Sequence, residues 1–381
     1  ALSGAISGTG GNLLIDGANS AVTLSGNNTY TGRTDILAGT LKITGGTSQT
    51  TTMNIASGSV LEFDTGATSW TGGGTDGNLT GSQRGFWTGG AGVNWTGGGT
   101  IIKKGSATLG LSTDDADTWA LSAGSLIDVR EGRVYFGWGW NDTSTNNKVD
   151  VQVAAGTTFD LWDLPQYRIR NLTGSGTVTG ASYANATLPT LVVGENNATS
   201  TFAGTVTNLV GGITKVGTGT FTLDAAINHG FRGSLTVSAG TFSVLSSAQF
   251  NSGTLTGAVS VAAGSTLRFA SSSPQALAGV VSGAGTLIVE GAGLVSLQNN
   301  NSFTGQTIVR NNASLRIGNA SGSTGYIFGD ISVASGSLVT FYRNGSNEAV
   351  ENTFSGAGRV EFTNGRKGRR IFVHAEEPTA V

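Results

Sequence analysis

The segment "NNTYTGRTDILAGTLKI" (residues 27–43) returns almost unchanged as "NNSFTGQTIVRNNASLRI" (residues 300–317). A third version begins at Asn228 with "NHGFRG" and continues to "AGTFSV". Apolar and polar residues alternate in these segments, which is the period of a β-strand with one buried face. Recurrence of such a pattern along one chain is typical of repeat architectures, in which each repeat covers the apolar face of its neighbour.

These segments belong to a longer unit of roughly 70 to 110 residues that recurs four times with insertions. Each unit starts with a glycine-flanked strand, at Gly11, Gly99, Gly212 and Gly285. The motif of the opening segment and two further strands follow, the last of them written "IASGSVLEF" in the first unit and "VAAGSTLRF" in the third. We therefore predict one continuous structure over residues 1–365, with units at 2–98, 99–190, 191–272 and 273–365, and a basic tail at 366–381.

The two later strands of each unit sort their side chains into two columns when read with period two. The column predicted to face the core is always apolar and comprises Leu41, Ile43, Leu61, Phe63, Val134, Phe136, Phe159, Leu161, Phe242, Val244, Leu267, Phe269, Leu315, Ile317, Val339 and Phe341. The column predicted to face outward has no consistent chemistry and comprises Lys42, Glu62, Tyr135, Asp160, Ser243, Arg268, Arg316 and Thr340. This contrast predicts a shared core and a free solvent face.

The fold class predicted from this pattern is all-β, a parallel β-solenoid. No helical segment lies between the strands, and Asn-Gly hairpin turns are few and irregular. With roughly 20 to 25 residues per coil the chain would make about 15 to 19 coils. We expect the side chains of Asn27, Asn228 and Asn300 to cap backbone groups between coils. We expect turn glycines to adopt positive φ.

Composition excludes several classes of function. The chain has 381 residues with 62 glycines and no cysteine, and a formal charge of −2. The near-neutral charge argues against binding to nucleic acid. The lack of cysteine excludes thiol catalysis and cysteine-ligated metal. No stretch approaches 18 consecutive apolar residues, so we predict no membrane insertion by this chain.

The repeat resembles the autotransporter-associated β-strand repeat, also called the passenger-associated transport repeat. Residues 27–43 match its typical text, "N-T-Y-T-G-x-T" followed by "A-G-T-L-x-V", almost letter for letter, and residues 212–244 and 285–317 match well. The resemblance implies a secreted right-handed parallel β-helix at the cell surface or outside a Gram-negative bacterium, where such repeats form exported stalks. The chain departs from the pattern in an insertion between Trp119 and Gly132, and in Ala313, which stands where the family has glycine.

A catalytic site would need paired carboxylates or an acidic cluster with basic residues. The candidates are Asp114, Asp115 and Asp117 in one inserted turn, and Asp160 and Asp163 near Arg168 and Arg170. A structural turn and an ordinary solvated face explain the same residues. His229 falls at the position of Asn28 and Asn301, which favours a turn role, and His374 has no obvious partner. We predict that the chain is not an enzyme and needs no cofactor, with a polysaccharide-active β-helix enzyme as the alternative.

The tryptophans are concentrated in one region, since all seven lie between residues 70 and 162. Exposed indoles stack on sugars or anchor protein partners, whereas buried ones would fill a widened core. The candidates for contact with a partner or a cell-surface glycan are Trp138, Trp140, Trp87 and Trp95. Both hypotheses stay open at this point.

The two ends of the chain differ in charge. The first 80 residues carry more acidic than basic residues, whereas the far end carries Arg366, Lys367, Arg369 and Arg370. This asymmetry predicts head-to-tail self-association, and a solvated basic tail is the alternative. The sequence thus predicts a non-enzymatic extracellular protein, a surface stalk, adhesin or filament subunit, whose partners are copies of itself and cell-surface glycans.

Overall fold

The computed structural model describes residues 1–45, 50–67, 93–111, 118–136, 149–161, 166–180, 189–225, 228–319, 325–343, 350–364 and 370–374. These residues form two compact units, Ala1–Leu191 and Val192–Val381. The boundary lies one residue beyond residue 190, the predicted end of the second repeat unit. One continuous solenoid with four repeat units stays a prediction.

The first unit is built from short strands. They are β1 (Leu13–Leu24), β2 (Arg33–Ile43), β3 (Thr52–Ile55), β4 (Val60–Asp64), β5 (Asn94–Gly97), β6 (Thr100–Lys104), β7 (Thr108–Leu111), β8 (Thr118–Leu121), β9 (Leu126–Val129), β10 (Arg133–Phe136), β11 (Asp150–Val153), β12 (Thr158–Asp160), β13 (Gln166–Ile169), β14 (Asn171–Gly174) and β15 (Thr177–Thr179), with β16 (Thr190–Val193) at the boundary.

The second unit continues in the same manner, with two short 3₁₀ turns at Glu195–Asn197 and Asn251–Gly253. Its strands are β17 (Ser200–Phe202), β18 (Thr205–Thr207), β19 (Gly212–Lys215), β20 (Thr220–Ala225), β21 (Asn228–His229), β22 (Ser234–Val237), β23 (Thr241–Ser246), β24 (Gln249–Phe250), β25 (Thr254–Leu255), β26 (Val259–Val261), β27 (Thr266–Phe269), β28 (Gln275–Leu277), β29 (Val281–Gly283), β30 (Thr286–Val289), β31 (Val295–Leu297), β32 (Ser302–Phe303), β33 (Gln306–Val309), β34 (Ser314–Ile317), β35 (Ile331–Val333), β36 (Leu338–Arg343), β37 (Phe354–Ser355), β38 (Arg359–Asn364) and β39 (Arg370–His374).

Successive coils pair in parallel, which confirms the predicted β-solenoid. In the first unit Leu41 lies opposite Leu61, and Leu61 lies opposite Ile101. In the second unit β20, β23, β27 and β30 pair in the same way. The described residues make about 13 coils, fewer than predicted. The reason is coils longer than 25 residues, such as the one in which β4, starting at Val60, pairs with β6, starting at Thr100.

The predicted core columns are buried wherever the structure describes their side chains. Leu61, Phe63, Phe159, Phe242 and Leu267 are fully enclosed, and the other described members of the list are buried too. The side chain of Phe136 lies outside the described part. Equivalent residues therefore stack directly on one another from coil to coil, and this stacking buries the apolar area that stabilises the fold.

The outward column differs from prediction, because Glu62, Tyr135, Asp160 and Ser243 are buried although they point away from the core. Long side chains from adjacent coils cover the polar ones. The guanidinium of Arg268, for example, donates to Ser243 Oγ at 3.1 Å. The outer face is therefore partly covered by side-chain contacts between coils and is not a free solvent face.

Buried polar side chains cap backbone groups between coils. The buried caps, Asn28 and Asn301, each lie one residue after the asparagine that was predicted to cap. Asn28 Oδ1 accepts from the N–H of Ile6 at 3.1 Å, and Asn301 Oδ1 accepts from the N–H of Val281 at 2.8 Å. The predicted caps Asn228 and Asn300 also form, to the N–H groups of Ser252 and Gly325, whereas Asn27 is exposed. Each buried cap satisfies a backbone donor that water cannot reach.

The glycine that ends each copy of the opening motif is required by close approach of two backbones. A Cβ at Gly32, Gly233 or Gly305 would lie 2.2, 2.4 or 1.8 Å from a carbonyl oxygen of a neighbouring coil. None of the three has positive φ, so the expectation of a left-handed turn is wrong for them. It is correct for the later glycines Gly39 and Gly240, whose φ angles are +85° and +65°.

The segment predicted as a basic tail contains the strand β39. This strand pairs antiparallel with β38, with Thr363 opposite Arg370 and Phe362 opposite Ile371. Residues 370–374 are therefore part of the sheet. The remaining residues of that segment, and the side chains of β39, lie outside the described part.

Candidate functional site

A network of charged side chains links three coils on the outer face of the first unit. Lys42 Nζ lies 3.1 Å from Glu62 Oε1 and 2.9 Å from Asp64 Oδ2, and Lys104 Nζ lies 2.9 Å from Glu62 Oε2. The parallel register produces this arrangement, because Lys42 is opposite Glu62 and Asp64 is opposite Lys104. Each contact therefore joins one coil to the next.

Glu62 and Asp64 are a close carboxylate pair, since an oxygen of each contacts the same ammonium group of Lys42. Burial raises the pKa of Glu62, but the hydrogen bonds from Lys104 and Lys42 outweigh it and hold the pKa below its ordinary value. The hydrogen bond from Lys42 likewise lowers the pKa of Asp64. A glycosidase needs one carboxyl group with a raised pKa to act as the acid. Both carboxyl groups have lowered pKa values, so neither is suited to act as that acid, and their contacts favour a role in cohesion.

The second unit has a similar network around Glu290. Glu290 Oε1 accepts from Arg268 Nε at 2.6 Å, and Glu290 Oε2 accepts from Arg310 Nε at 2.5 Å. Burial raises the pKa of Glu290, but the hydrogen bonds from Arg310 and Arg268 outweigh that effect and hold the pKa below its ordinary value. One carboxylate thus connects arginines from two different coils.

Two members of the predicted catalytic set, Asp160 and Arg170, are held in ion pairs, whereas Arg168 Nη1 donates to Gln166 Oε1 at 3.4 Å. Asp160 is buried and bonded to Arg133, and Arg170 Nε donates to Asp150 Oδ1 at 2.6 Å. Asp163 and the acidic turn Asp114, Asp115 and Asp117 lie outside the described residues. Within the described ranges, no group of three or more metal-ligating side chains occurs.

Two buried lysines form matching cages that the sequence analysis missed. Lys103 Nζ donates to the carbonyl oxygens of Lys104, Gly105 and Glu131 at 2.7, 2.6 and 3.0 Å. Lys215 Nζ donates to the carbonyl oxygens of Val216, Gly217 and Ala239 at 2.6, 2.8 and 3.2 Å. In both cages three acceptors match the three donors of an ammonium group. The shared spelling Lys-x-Gly after the first strand of a unit could have indicated them.

Burial lowers the pKa of Lys103 and of Lys215 to about 8. The nearby carboxylates Glu131 and Asp64 oppose that effect at Lys103. Both amines remain mostly protonated at neutral pH, where each ties one turn to the following coil.

His229 occupies the position of Asn28 and Asn301, as the sequence predicted, but it serves there as a buried cap, a role that was predicted for the preceding residue. Its Nδ1 accepts from the backbone N–H of Val206 at 3.2 Å, and its ring is fully enclosed. Burial lowers the pKa of His229 to about 4. The imidazole is therefore neutral at physiological pH and acts as a structural cap.

The described tryptophans fill the core. Trp95 and Trp119 lie opposite each other on β5 and β8, and their rings stack in parallel with centroids 4.6 Å apart. Trp95 is 1% exposed, so it offers no contact surface, and the core-filling hypothesis is correct for this pair. The other contact candidates, Trp87, Trp138 and Trp140, lie outside the described residues.

The acidic residues near the start of the chain are largely neutralised within the first unit. Arg33 Nη2 lies 2.5 Å from Asp35 Oδ1, and Glu62 and Asp64 belong to the network around Lys42. Of the predicted basic contact set, Arg366, Lys367 and Arg369 and the side chain of Arg370 lie outside the described part. Head-to-tail association stays a prediction.

A shallow cleft on the second unit combines exposed aromatic and polar side chains, and the sequence analysis missed it. Its cavity of about 130 Å³ is lined by Tyr326, Ile327, Phe328, Arg343, Val350, Glu351 and Asn352. Phe328 is 55% exposed. The guanidinium of Arg343 stacks 4.3 Å from the centroid of the Tyr326 ring. An exposed phenylalanine beside fixed polar groups is a typical element of a ligand-binding surface.

Comparison with protein families finds the passenger-associated-transport-repeat at residues 19–43, 213–244 and 280–317. These ranges contain the three copies of the opening motif, so the resemblance drawn from the sequence is confirmed. Neither the curated proteins nor the solved structures yield a match. None of the described helical segments is long and apolar enough to cross a membrane.

Proposed function

We propose that this chain is a non-catalytic extracellular protein, a β-helical passenger that forms a stalk or adhesive surface outside a Gram-negative cell. The three passenger-associated-transport-repeats support export to the cell surface. The near-complete parallel stacking supports a structural role, because each coil extends the same core.

The observation that carries the proposal is how the residues of the repeat motif are used. In "NNSFTG" Asn301 caps the preceding coil, Phe303 fills the core, and Gly305 lets two backbones meet. The motif residues are thus committed to contacts between coils, which suits a scaffold.

Folding by stacking also suits export. Each coil contacts mainly its neighbours, so folding can spread from one coil to the next as the chain emerges. The absence of cysteine means that this folding needs no disulfide formation.

The location is tested by labelling intact cells that express the natural protein. Antibodies raised against the folded chain should bind unpermeabilised cells or detect the chain in the medium. A signal that appears only after permeabilisation would rule out the proposed location. Release of reducing sugars or unsaturated products from polysaccharides by the purified chain would contradict a non-catalytic role.

Head-to-tail association of such stalks has its own test. Sedimentation of the purified chain should show species larger than a monomer, and the simultaneous changes Arg366→Gln, Lys367→Gln and Arg369→Gln should shift them to monomer. Unchanged sedimentation of the triple variant would remove the basic end from the interface.

A further inference from the structure

The cleft around Phe328 lies where the outer face of the sheet changes from hydroxyl side chains to aromatic ones. Five adjacent strands of one sheet, β19, β22, β26, β29 and β32, share an outward column of hydroxyl residues, namely Thr214, Thr236, Ser260, Ser282 and Ser302. The next coil brings Tyr326, which pairs with Asn300, and Phe328, whose N–H donates to Phe303 at 2.8 Å. A hydroxyl-lined track therefore runs into an aromatic platform.

We propose that this cleft is a binding subsite for a neutral polysaccharide chain that stacks a sugar ring on Phe328. A sugar ring presents an apolar face of C–H groups and a rim of hydroxyls. An exposed aromatic face matches the first, and neighbouring polar side chains match the second. The hydroxyl column offers further hydrogen-bonding positions, one per coil, to a polymer that continues beyond the cleft.

The polar groups of the cleft are held in place by the fold. Asn352 Nδ2 donates to the carbonyl oxygens of Ile327 and Gly329 at 3.0 and 2.7 Å, which fixes the orientation of its amide. Arg343 is mostly buried, and its guanidinium lies 4.3 Å from the centroid of the Tyr326 ring and 5.2 Å from that of Phe341. Fixed polar groups lose little freedom on binding, which favours affinity for a sugar ring in the cleft.

The charges around the cleft favour a neutral sugar over an acidic one. Glu351 is exposed at the rim and would repel a carboxylated or sulfated chain. The positive charge of Arg343 lies mostly beneath the surface against two aromatic rings. An uncharged chain is subject to neither repulsion nor the cost of stripping water from a charged group.

The size of the apolar surface argues against a protein partner or a second copy of this chain. Stable protein interfaces bury about 1,000 Å² or more around a central apolar cluster. Here the outward column leading to Phe328 consists of serine and threonine, and the cavity is about 130 Å³. One aromatic ring in a hydroxylated wall is suited to one sugar ring.

This inference goes beyond the proposed stalk, and its test is independent of where the protein is located. The purified full chain would be run in native gels containing hydroxyethyl cellulose, laminarin, yeast mannan or polygalacturonate as probes. At least one of the three neutral polymers should retard it, and polygalacturonate should not. Phe328→Ser should weaken the retardation about tenfold.

Leu14→Ser is the matched control, because Leu14 is also an exposed apolar residue, lies in the first unit, and neither lines the cleft nor belongs to the hydroxyl column. It should leave retardation unchanged, and both variants should keep the parent circular dichroism spectrum and melting temperature. The proposal is overturned if no neutral polymer retards the parent, or if Phe328→Ser binds as the parent does. It is equally overturned if Leu14→Ser loses as much, or if Phe328→Ser changes sedimentation, which would assign the ring to self-association.

Discussion

The imidazole of His229 and the backbone N–H of Val206 form a hydrogen bond that joins two coils inside the second unit, with Nδ1 as the acceptor at 3.2 Å. The same bond is made by Asn28 to Ile6 and by Asn301 to Val281. His229 thus performs with a titratable ring what the other coils do with an amide. No described residue offers a hydrogen-bond partner to its Nε2.

The histidine cap should make stability depend on pH in a defined window. Burial lowers the pKa of His229 to about 4 from an ordinary value of 6.5. Between those values the unfolded chain binds a proton that the folded chain excludes, so stability falls as pH drops from 6.5 to about 4. The total loss is about 3 kcal/mol. The adjacent strands β18 and β24 carry no ionisable side chain that would share this titration.

His229→Asn is the sharpest variant, because it installs the amide that the chain itself uses at Asn28 and Asn301. Urea unfolding between pH 7 and pH 4 should show a shallower loss of stability for this variant, by up to about 1.4 kcal/mol per pH unit. An identical slope for the variant and the parent would mean that His229 does not titrate on unfolding.

The adjacent lysines Lys103 and Lys104 give a second comparison within one strand. Lys103→Met leaves the carbonyl oxygens of Gly105 and Glu131 without their buried donor, and should cost about 2–4 kcal/mol. Lys104→Met removes only a half-exposed ion pair with Glu62, and should cost less than about 1 kcal/mol. Denaturant unfolding monitored by circular dichroism measures both. Equal losses would show that the carbonyl cage contributes nothing beyond an ordinary ion pair.

The same cage predicts a rise in stability at alkaline pH. Burial lowers the pKa of Lys103 to about 8 from an ordinary value of 10.5. Between those values the unfolded chain holds the proton more tightly, so the parent should gain stability as pH rises from about 8 to 10.5. Lys103→Met should lack its part of that gain. If the free energy of unfolding of the parent, relative to that of Lys103→Met, fell as pH rose through this window, the prediction would be wrong.

Much of the fold could be predicted because each repeat unit shows the same alternation of apolar and polar residues. Leu41 and Phe63 alternate with polar residues at period two, and burial of the apolar side follows directly from strand geometry. The outward side was less predictable, since Ser243 and Asp160 are buried by arginines from other coils. Such contacts depend on register between coils, which period two alone does not specify.

Ala313 shows how a departure from the motif is accommodated. The family glycine at this place supplies positive φ in other units, as Gly39 does. Here Asn311 and Asn312 both adopt φ of +62°, and the N–H of Ala313 donates to the carbonyl of Arg310 at 3.2 Å. The turn has moved toward two asparagines, which tolerate the left-handed region better than alanine does. Once the turn type is known, the sequence "NNA" predicts that the two asparagines adopt the left-handed conformation.

The candidate site was less predictable than the fold. Phe328 is one exposed ring in "GYIFGD", and nothing in its immediate sequence separates it from a core residue such as Phe303. Its position depends on which coil follows the hydroxyl column. Trp95, by contrast, was an expected contact candidate and is buried against Trp119, because both occupy the same core position on adjacent strands.

Glu290 offers a test of cohesion on the outer face. Glu290→Gln removes the charge shared by Arg268 and Arg310, and should cost about 1–3 kcal/mol at pH 7. Because its folded pKa is lowered, this contribution is present above the ordinary value of 4.5 and is lost as pH falls through the folded value. The variant and the parent should therefore converge in acid. Asp330→Asn, at an exposed residue, is the control and should change urea unfolding little at pH 7. A constant gap between parent and Glu290→Gln across the pH range would contradict the assignment.

The glycine that closes the repeat motif tests the central feature of the fold, the close stacking of coils. A Cβ at Gly305 would lie 1.8 Å from the carbonyl oxygen of Gly285, which is backbone and cannot rotate away. Gly305→Ala should therefore force the two coils apart and cost about 3 kcal/mol or more. At Gly230 the nearest atom to an added Cβ is 3.8 Å away, and φ is not positive. Gly230→Ala should stay within about 1 kcal/mol of the parent in urea unfolding. If the two alanines were tolerated equally, the backbones at Gly285 and Gly305 could not be as close as the parallel stacking requires.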